Sequence, residues 1–247
     1  MKILFTILSL ATDRQMYLNA SKDLINELLS NTKHDILLTT NDVSFFEDIN
    51  NERLIVRNNV PADSILLYKG GSEFNYNLKY LAFKDIPEGY DVIFYVDGDI
   101  KHTFWNDVSD ERLKSLMESH DSVATRLNCV LRGEIAQLKN IGSCLFSHKI
   151  HSYGVLSWDM NDRLIDSCLP SEHFLIFKYD KQKLELFANK WSELNSIMQS
   201  QNGGNGSWGD GFEIGISAKF AGYDNMFDLH SGDLQTQFGF IFNGNKR

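Results

Sequence analysis

The stretch Y-D-V-I-F-Y-V-D-G-D-I, Tyr90 to Ile100, decides how the rest of the chain is read. Asp91 to Val96 reads as a buried strand, and it runs straight into two carboxylates, Asp97 and Asp99, separated only by Gly98. Two like charges at the end of the most hydrophobic strand cost stability unless water or a counter-ion relieves them. D-G-D is either a turn, since Asp and Gly favour turns, or a hold on a cation. Alternate positions of an extended segment share a face and Gly lets the turn tighten, so both carboxylates can meet one ion. Mg2+ and Mn2+ prefer oxygen ligands and commonly take one or two carboxylates plus substrate phosphates. An EF-hand is excluded, because its ligand ladder and closing Glu are missing.

Around that strand the chain alternates strands with helices. Lys2 to Leu10 reads as a first strand; a helix follows, capped by Thr12 or Asp13 and carrying Met16, Leu18, Leu24, Ile25, Leu28 and Leu29 at helical spacing up to Ser30/Asn31. Strands are expected at His34 to Thr40, Arg53 to Arg57 and Ser64 to Tyr68, and a helix over Glu73 to Phe83 that ends at Pro87-Glu88-Gly89. Beyond Ile100, Asp107 or Ser109 caps a helix through Ser119, and Asp121 to Arg126 returns as a strand. Asn128 to Cys168 shows little periodicity and reads as loops with short strands. Glu172 to Lys178 is a strand and Asp180 to Met198 an amphipathic helix; Tyr223 to Leu229 is a last strand before a glycine-bearing tail. This order predicts an α/β fold with a mostly parallel sheet flanked by helices, with ligands gathered at the carboxyl ends of the strands. Thr39, Thr40 and Asp42 end the second strand, where a base or ribose would lie in a nucleotide fold.

Over 247 residues the chain is 43% hydrophobic and 23% charged, an ordinary globular balance, with a net charge of −9. That charge argues against nucleic acid as a partner, and a small anionic substrate would need a local cation. Cys129, Cys144 and Cys168 form neither a disulfide framework nor a zinc spacing, which reads as reduced thiols in a cytoplasmic protein. The opening M-K-I-L-F-T-I-L-S-L-A-T-D has one charge and a short apolar run followed at once by a helix, so it reads as a strand and not a signal peptide. No segment approaches the ~20 apolar residues of a membrane span.

A second informative stretch is Q-N-G-G-N-G-S-W-G-D-G-F-E-I-G-I-S, Gln201 to Ser217, with five glycines in its first eleven residues. Asp210 and Glu213 have the spacing of a helix N-cap and its partner three residues on. Trp208, in a polar glycine loop, suits packing on an apolar sugar face or anchoring the loop.

With these residues in hand, the chain resembles GT-A-fold glycosyltransferases, which transfer a sugar from a nucleotide-diphosphate donor. The strand V-I-F-Y-V with D-G-D resembles their apolar strand and D-x-D, and the order from the N-terminal strand to the late W-G-D-G is most similar to glycosyltransferase family 6, the blood-group A and B transferases and α-1,3-galactosyltransferases. The resemblance implies a single GT-A domain over residues 1–247, with 1–127 as the nucleotide-binding half and 128–247 as the acceptor-binding half. Asp97 and Asp99 would hold Mn2+ or Mg2+ and, through it, the diphosphate of a UDP-linked hexose; Gly98 lies between them. Trp208 and Asp210 match the Trp and Asp of the later motif, where the Asp contacts sugars. Gly211 stands where that family carries a Glu, and Glu213 lies two positions further on. His230 in D-L-H-S-G-D could complete the metal site, as a late His does in related transferases; His148 and His151 lack a carboxylate in register.

Lys79 could approach the donor from the helix before the D-x-D strand, or stand solvated on that helix. A carboxylate at Asp210 or Glu213 would act as general base in an inverting reaction or would stabilise an oxocarbenium-like centre in a retaining one, and the sequence leaves both open. Two function classes follow: a transferase acting on a carbohydrate or other hydroxyl acceptor, and a catalytically degenerate nucleotide-sugar or glycan-binding module. Nucleotidyl transfer would need a glycine-rich basic loop after the first strand, which S-L-A-T-D-R-Q does not supply.

Overall fold

The seven residues of β1 (Ile3–Ser9, I-L-F-T-I-L-S) are all buried, which only a strand covered on both faces can satisfy. The structure, a computed structural model, describes residues 1–11, 16–61, 76–98, 100–105, 110–125, 170, 174–201, 210–229 and 240–246. β1 lies inside a seven-stranded sheet of order β3-β2-β1-β4-β7-β6-β8, with β2 at Asp35–Thr40, β3 at Leu54–Arg57, β4 at Val92–Val96, β6 at Ser122–Thr125, β7 at Phe174–Lys178 and β8 at Met226–Leu229. β3, β2, β1 and β4 are mutually parallel, as the alternation of strand and helix predicts. β7 runs antiparallel to both β4 and β6, and β8 is parallel to β6, so the sheet is mixed and mostly parallel.

Alternation along the strands sorts the core into two layers. Phe5, Ile36, Phe94 and Ile176 face α1 (Met16–Asn31) and α2 (Asp110–Ser119), whose Leu24, Leu28, Leu113 and Met117 pack on them. Leu4, Leu37, Tyr95 and Phe177 face a 3-10 helix at Tyr76–Phe83, α3 (Lys181–Gln201) and α4 (Asp210–Phe220). Aromatic rings fill this second layer, where Phe83 meets Phe177 and Phe187 edge-on at 5.7 and 5.0 Å. α1 stops where its sequence predicts: the side chains of Ser30, Asn31 and Thr32 take the carbonyls of Asn26, Glu27 and Leu28.

Two features refine the expected order. The helix expected up to Phe83 is present as a 3-10 helix over Tyr76–Phe83. Its three-residue turn stacks Leu78 on Leu81, both buried against the sheet. The Arg57 guanidinium takes the Leu81 and Asp85 carbonyls at 3.0 and 2.9 Å, groups a longer α-helix would use itself. The second feature is a ribbon unread in the sequence: β5 (Ile100–Trp105) pairs antiparallel with β9 (Phe240–Lys246), the tail segment. The strand expected at 64–68 and the loops of 128–168 lie outside the described residues. No helix among the described residues is long and apolar enough to cross a membrane.

Candidate functional site

The parallel strands end together at one edge of the sheet, and β4 delivers Asp97 to it. Because Ile93 and Tyr95 belong to the layer of the 3-10 helix, the next odd position carries Asp97 to that side. There the Lys79 ammonium donates to Asp97 Oδ2 at 2.9 Å, and the Tyr95 hydroxyl makes a long contact, 3.5 Å, to Oδ1. Lys79 is only 2% exposed and Asp97 16%. The solvated lysine considered from sequence is therefore corrected: its helix lies flat on the sheet and turns Lys79 inward, where an ammonium persists only against an opposite charge.

Gly98 points the other way, to α1. The Ser21 hydroxyl reaches its carbonyl at 3.4 Å, and a Cβ at this position would collide with Ser21 Oγ and stand 3.1 Å from the Leu8 carbonyl. Its backbone is not in the left-handed region. Glycine is thus required here for space, where β4 passes beneath α1, and not for an unusual turn.

The end of β2 is built differently. Thr39 accepts the Arg57 Nε–H at 2.9 Å, and Thr40 accepts the Asp42 backbone N–H at 3.1 Å. Asp42 Oδ1 in turn accepts the Ser44 hydroxyl at 2.7 Å and the Phe45 N–H at 3.3 Å, closing the 3-10 turn Ser44–Phe46. Asn41 pairs with the backbone of Ala11 in both directions, at 2.6 and 3.2 Å, and so fixes the chain leaving β1 beside the chain leaving β2. Thr39, Thr40 and Asp42, expected at a base or ribose, thus flank a clasp between two loops made by Asn41.

α4 begins at Asp210, as its capping pattern predicts. Glu213, one turn on, is 1% exposed and lies in the same buried helix face as Ile214 and Ser217. Glu213 therefore belongs to the interior, and Asp210 is the first residue of the helix. Asp99, Trp208 and His230 lie outside the described residues. The strand that leads to His230 is placed: Asp228 pairs with Ala124, Ala124 with Leu175, and Leu175 with Tyr95. Asp228 therefore shares a rung with Tyr95, three strand spacings or about 14 Å away.

Among the described residues no group of three His, Cys, Asp or Glu side chains could hold a metal ion. The donor chemistry at β4 nevertheless fits a hard cation. Asp97 is a carboxylate, the oxygen donor such ions prefer, and it stands at the carboxyl end of β4 with its side chain 16% exposed.

Tyr95, Ser21 and Arg57 carried no functional reading in the sequence. Only Ser21 left a signal, as a small polar residue within the apolar stripe of α1.

No family model matches the chain, and no curated protein sequence matches it. Among solved structures it is similar to the galactosyltransferase LgtC in complex with donor and acceptor sugar analogs, with a TM-score of 0.50 and 12% identity over 94% of this chain and 74% of that one. It also matches mouse xyloside xylosyltransferase 1, at a TM-score of 0.46 and 11% identity over 92% and 84% of the two chains. A third match is core-mannan synthase A from Aspergillus fumigatus in a Mn/GDP form, at 0.46 and 13% over 98% and 75%. The likeness to LgtC concerns the fold: this chain has the α/β GT-A architecture, a mixed seven-stranded sheet flanked by helices.

Proposed function

We propose that the chain is a metal-dependent glycosyltransferase that moves a hexose from a nucleotide-diphosphate sugar, UDP-linked, to a hydroxyl acceptor. The observation that carries this reading is Asp97, set at the carboxyl end of a central strand and held at 2.9 Å by a buried lysine in a chain whose net charge is −9. Such an edge is where α/β sheets bind ligands, and a protein without a basic face needs local cations to hold a diphosphate. Asp97 and Asp99 would hold Mn2+ or Mg2+, and His230, which follows Leu229 in the sequence, is the further candidate ligand. When bound, the ion supplies charge neutralisation on the diphosphate leaving group. Lys79 adds a fixed positive charge beside the same carboxylate, and Gly98 lets the chain leaving β4 lie against α1 next to Asp97.

Residues 1–127 then form the donor half, with Thr39 and Asp42 near the base or ribose, and 128–247 the acceptor half, with Trp208 and Asp210 at the sugars. The family 6 resemblance supports Asp210 as the sugar-facing carboxylate, and the burial of Glu213 favours Asp210 over it. Cytoplasmic residence is part of this reading and rests on the three unpatterned cysteines. The test is the thermal midpoint with UDP and Mn2+. Wild type gains several degrees and Asp99→Ala loses the gain; no gain with any nucleotide and divalent ion sinks the proposal.

A second reading is favoured by Gly211 and the buried Glu213: a nonenzymatic nucleotide-sugar or glycan-binding module that lacks a carboxylate beside Asp210. Release of free UDP from UDP-sugars separates the two, because even slow donor hydrolysis requires a working site.

A further inference from the structure

We infer that Lys79 is a resident cation that makes metal entry depend on the diphosphate, so that the ion is bound as its nucleotide complex and not alone. This rests on the reading of Asp97 as part of a metal and diphosphate site, and it adds an order of binding to that site.

The argument starts from burial. Lys79 is 2% exposed on a 3-10 helix whose Leu78, Leu81 and Phe83 are locked into the core, so its ammonium cannot swing out to water when another cation arrives. A free divalent ion that ligates Asp97 must then share one carboxylate with an ammonium already 2.9 Å from Oδ2, and an ammonium only 2% exposed has little water beside it to screen their repulsion. By formal charge Asp97, Asp99 and Lys79 together carry one negative charge, where the aspartates alone would carry two. The metal complex of a nucleoside diphosphate meets the same site differently. It is itself anionic, it offers phosphate oxygens to the ammonium, and it places oxygen between the two cations. A buried lysine beside a metal-binding carboxylate thus penalises the free ion and favours the complex.

The test is a Mn2+ titration followed by the electron paramagnetic resonance of the free ion, on wild type, Lys79→Gln and Lys79→Arg, with and without UDP. Wild type binds Mn2+ at least tenfold more tightly with UDP than without. Lys79→Gln, which keeps a hydrogen bond to Asp97 but removes the charge, binds Mn2+ alone at least tenfold more tightly than wild type and gains less from UDP. Lys79→Arg behaves as wild type. Equal affinity of wild type for Mn2+ with and without UDP overturns the inference, whether or not the variants fold. So does a Lys79→Gln protein with the wild-type circular dichroism spectrum that binds Mn2+ no more tightly. If UDP and Mn2+ bind but these differences are missing, the transferase reading stands and this inference falls. If no protein binds Mn2+ under either condition, the metal-site reading fails and takes the inference with it.

Discussion

The start and the end of β4 both present an aspartate near a lysine, in different surroundings. At the start, Asp91 accepts the Lys2 backbone N–H at 2.7 Å, and the Tyr90 hydroxyl donates to Asp35 at 2.8 Å. The Lys2 ammonium, 58% exposed, stands 3.5 Å from Asp35 and 4.4 Å from the centre of the Tyr90 ring. At the end, Asp97 meets an ammonium sealed from water. A cavity of about 450 Å3, lined in part by Tyr90, Asp91, Met117, Lys178 and Tyr179, opens at the start. Charges at the start are satisfied by neighbours and solvent and hold the first two strands in register. The charge at the end meets a buried ammonium, which makes the pair costly to disturb.

Substitutions at the two ends should separate in that order. Asp97→Ala leaves Lys79 charged and buried without Asp97, and breaking such a pair costs about 3 kcal/mol, at the low end of the usual range because Asp97 is partly exposed. Urea unfolding reads this directly, and a loss below about 1 kcal/mol would show that Lys79 finds other compensation. Gly98→Ala forces a methyl group against Ser21 and the Leu8 carbonyl and costs about 2 kcal/mol. Adding Ser21→Gly recovers part of that loss and not all, since the Leu8 carbonyl is backbone; full recovery would put the clash on α1 alone.

At the start of the strand, Tyr90→Phe costs about 1 kcal/mol at neutral pH, one hydrogen bond to Asp35. Desolvation, together with the Asp35 carboxylate, raises the Tyr90 phenol from its usual 10 to about 12. The fold holds the neutral phenol, so its contribution is complete below pH 10 and is lost as pH rises through about 12. Burial raises Tyr223 in the same direction. Stability measured from pH 9 to 12 falls less steeply in Tyr90→Phe than in wild type; identical slopes would assign the alkaline loss elsewhere. Lys2→Met removes an exposed ion pair and changes stability by less than about 0.5 kcal/mol, and a larger loss would mean that this end is as tightly coupled as the other.

Asp97 was legible in the sequence because an apolar strand ending in a carboxylate is a local contradiction, visible without any partner. The reason for Gly98 was not, since it lies in Ser21 and Leu8, far along the chain. Lys79 could be named but not understood: helical spacing places it on a helix, whereas its orientation follows from a 3-10 geometry held by Arg57 from β3. β5 and β9 escaped for a similar reason, as each finds its partner some 140 residues away.

The sequence by itself determined the parallel half of the sheet, the strand end that carries Asp97 and the start of α4, because these follow from runs of apolar residues and from capping pairs only a few residues apart. The tertiary structure alone decided that β7 enters antiparallel, that Asn41 clasps two loops, that Glu213 faces the interior and that Lys79 pairs with Asp97. The physical reason is range. Periodicity and capping act within a turn or two of the chain, whereas burial and charge pairing are settled by whichever distant element arrives to exclude the water.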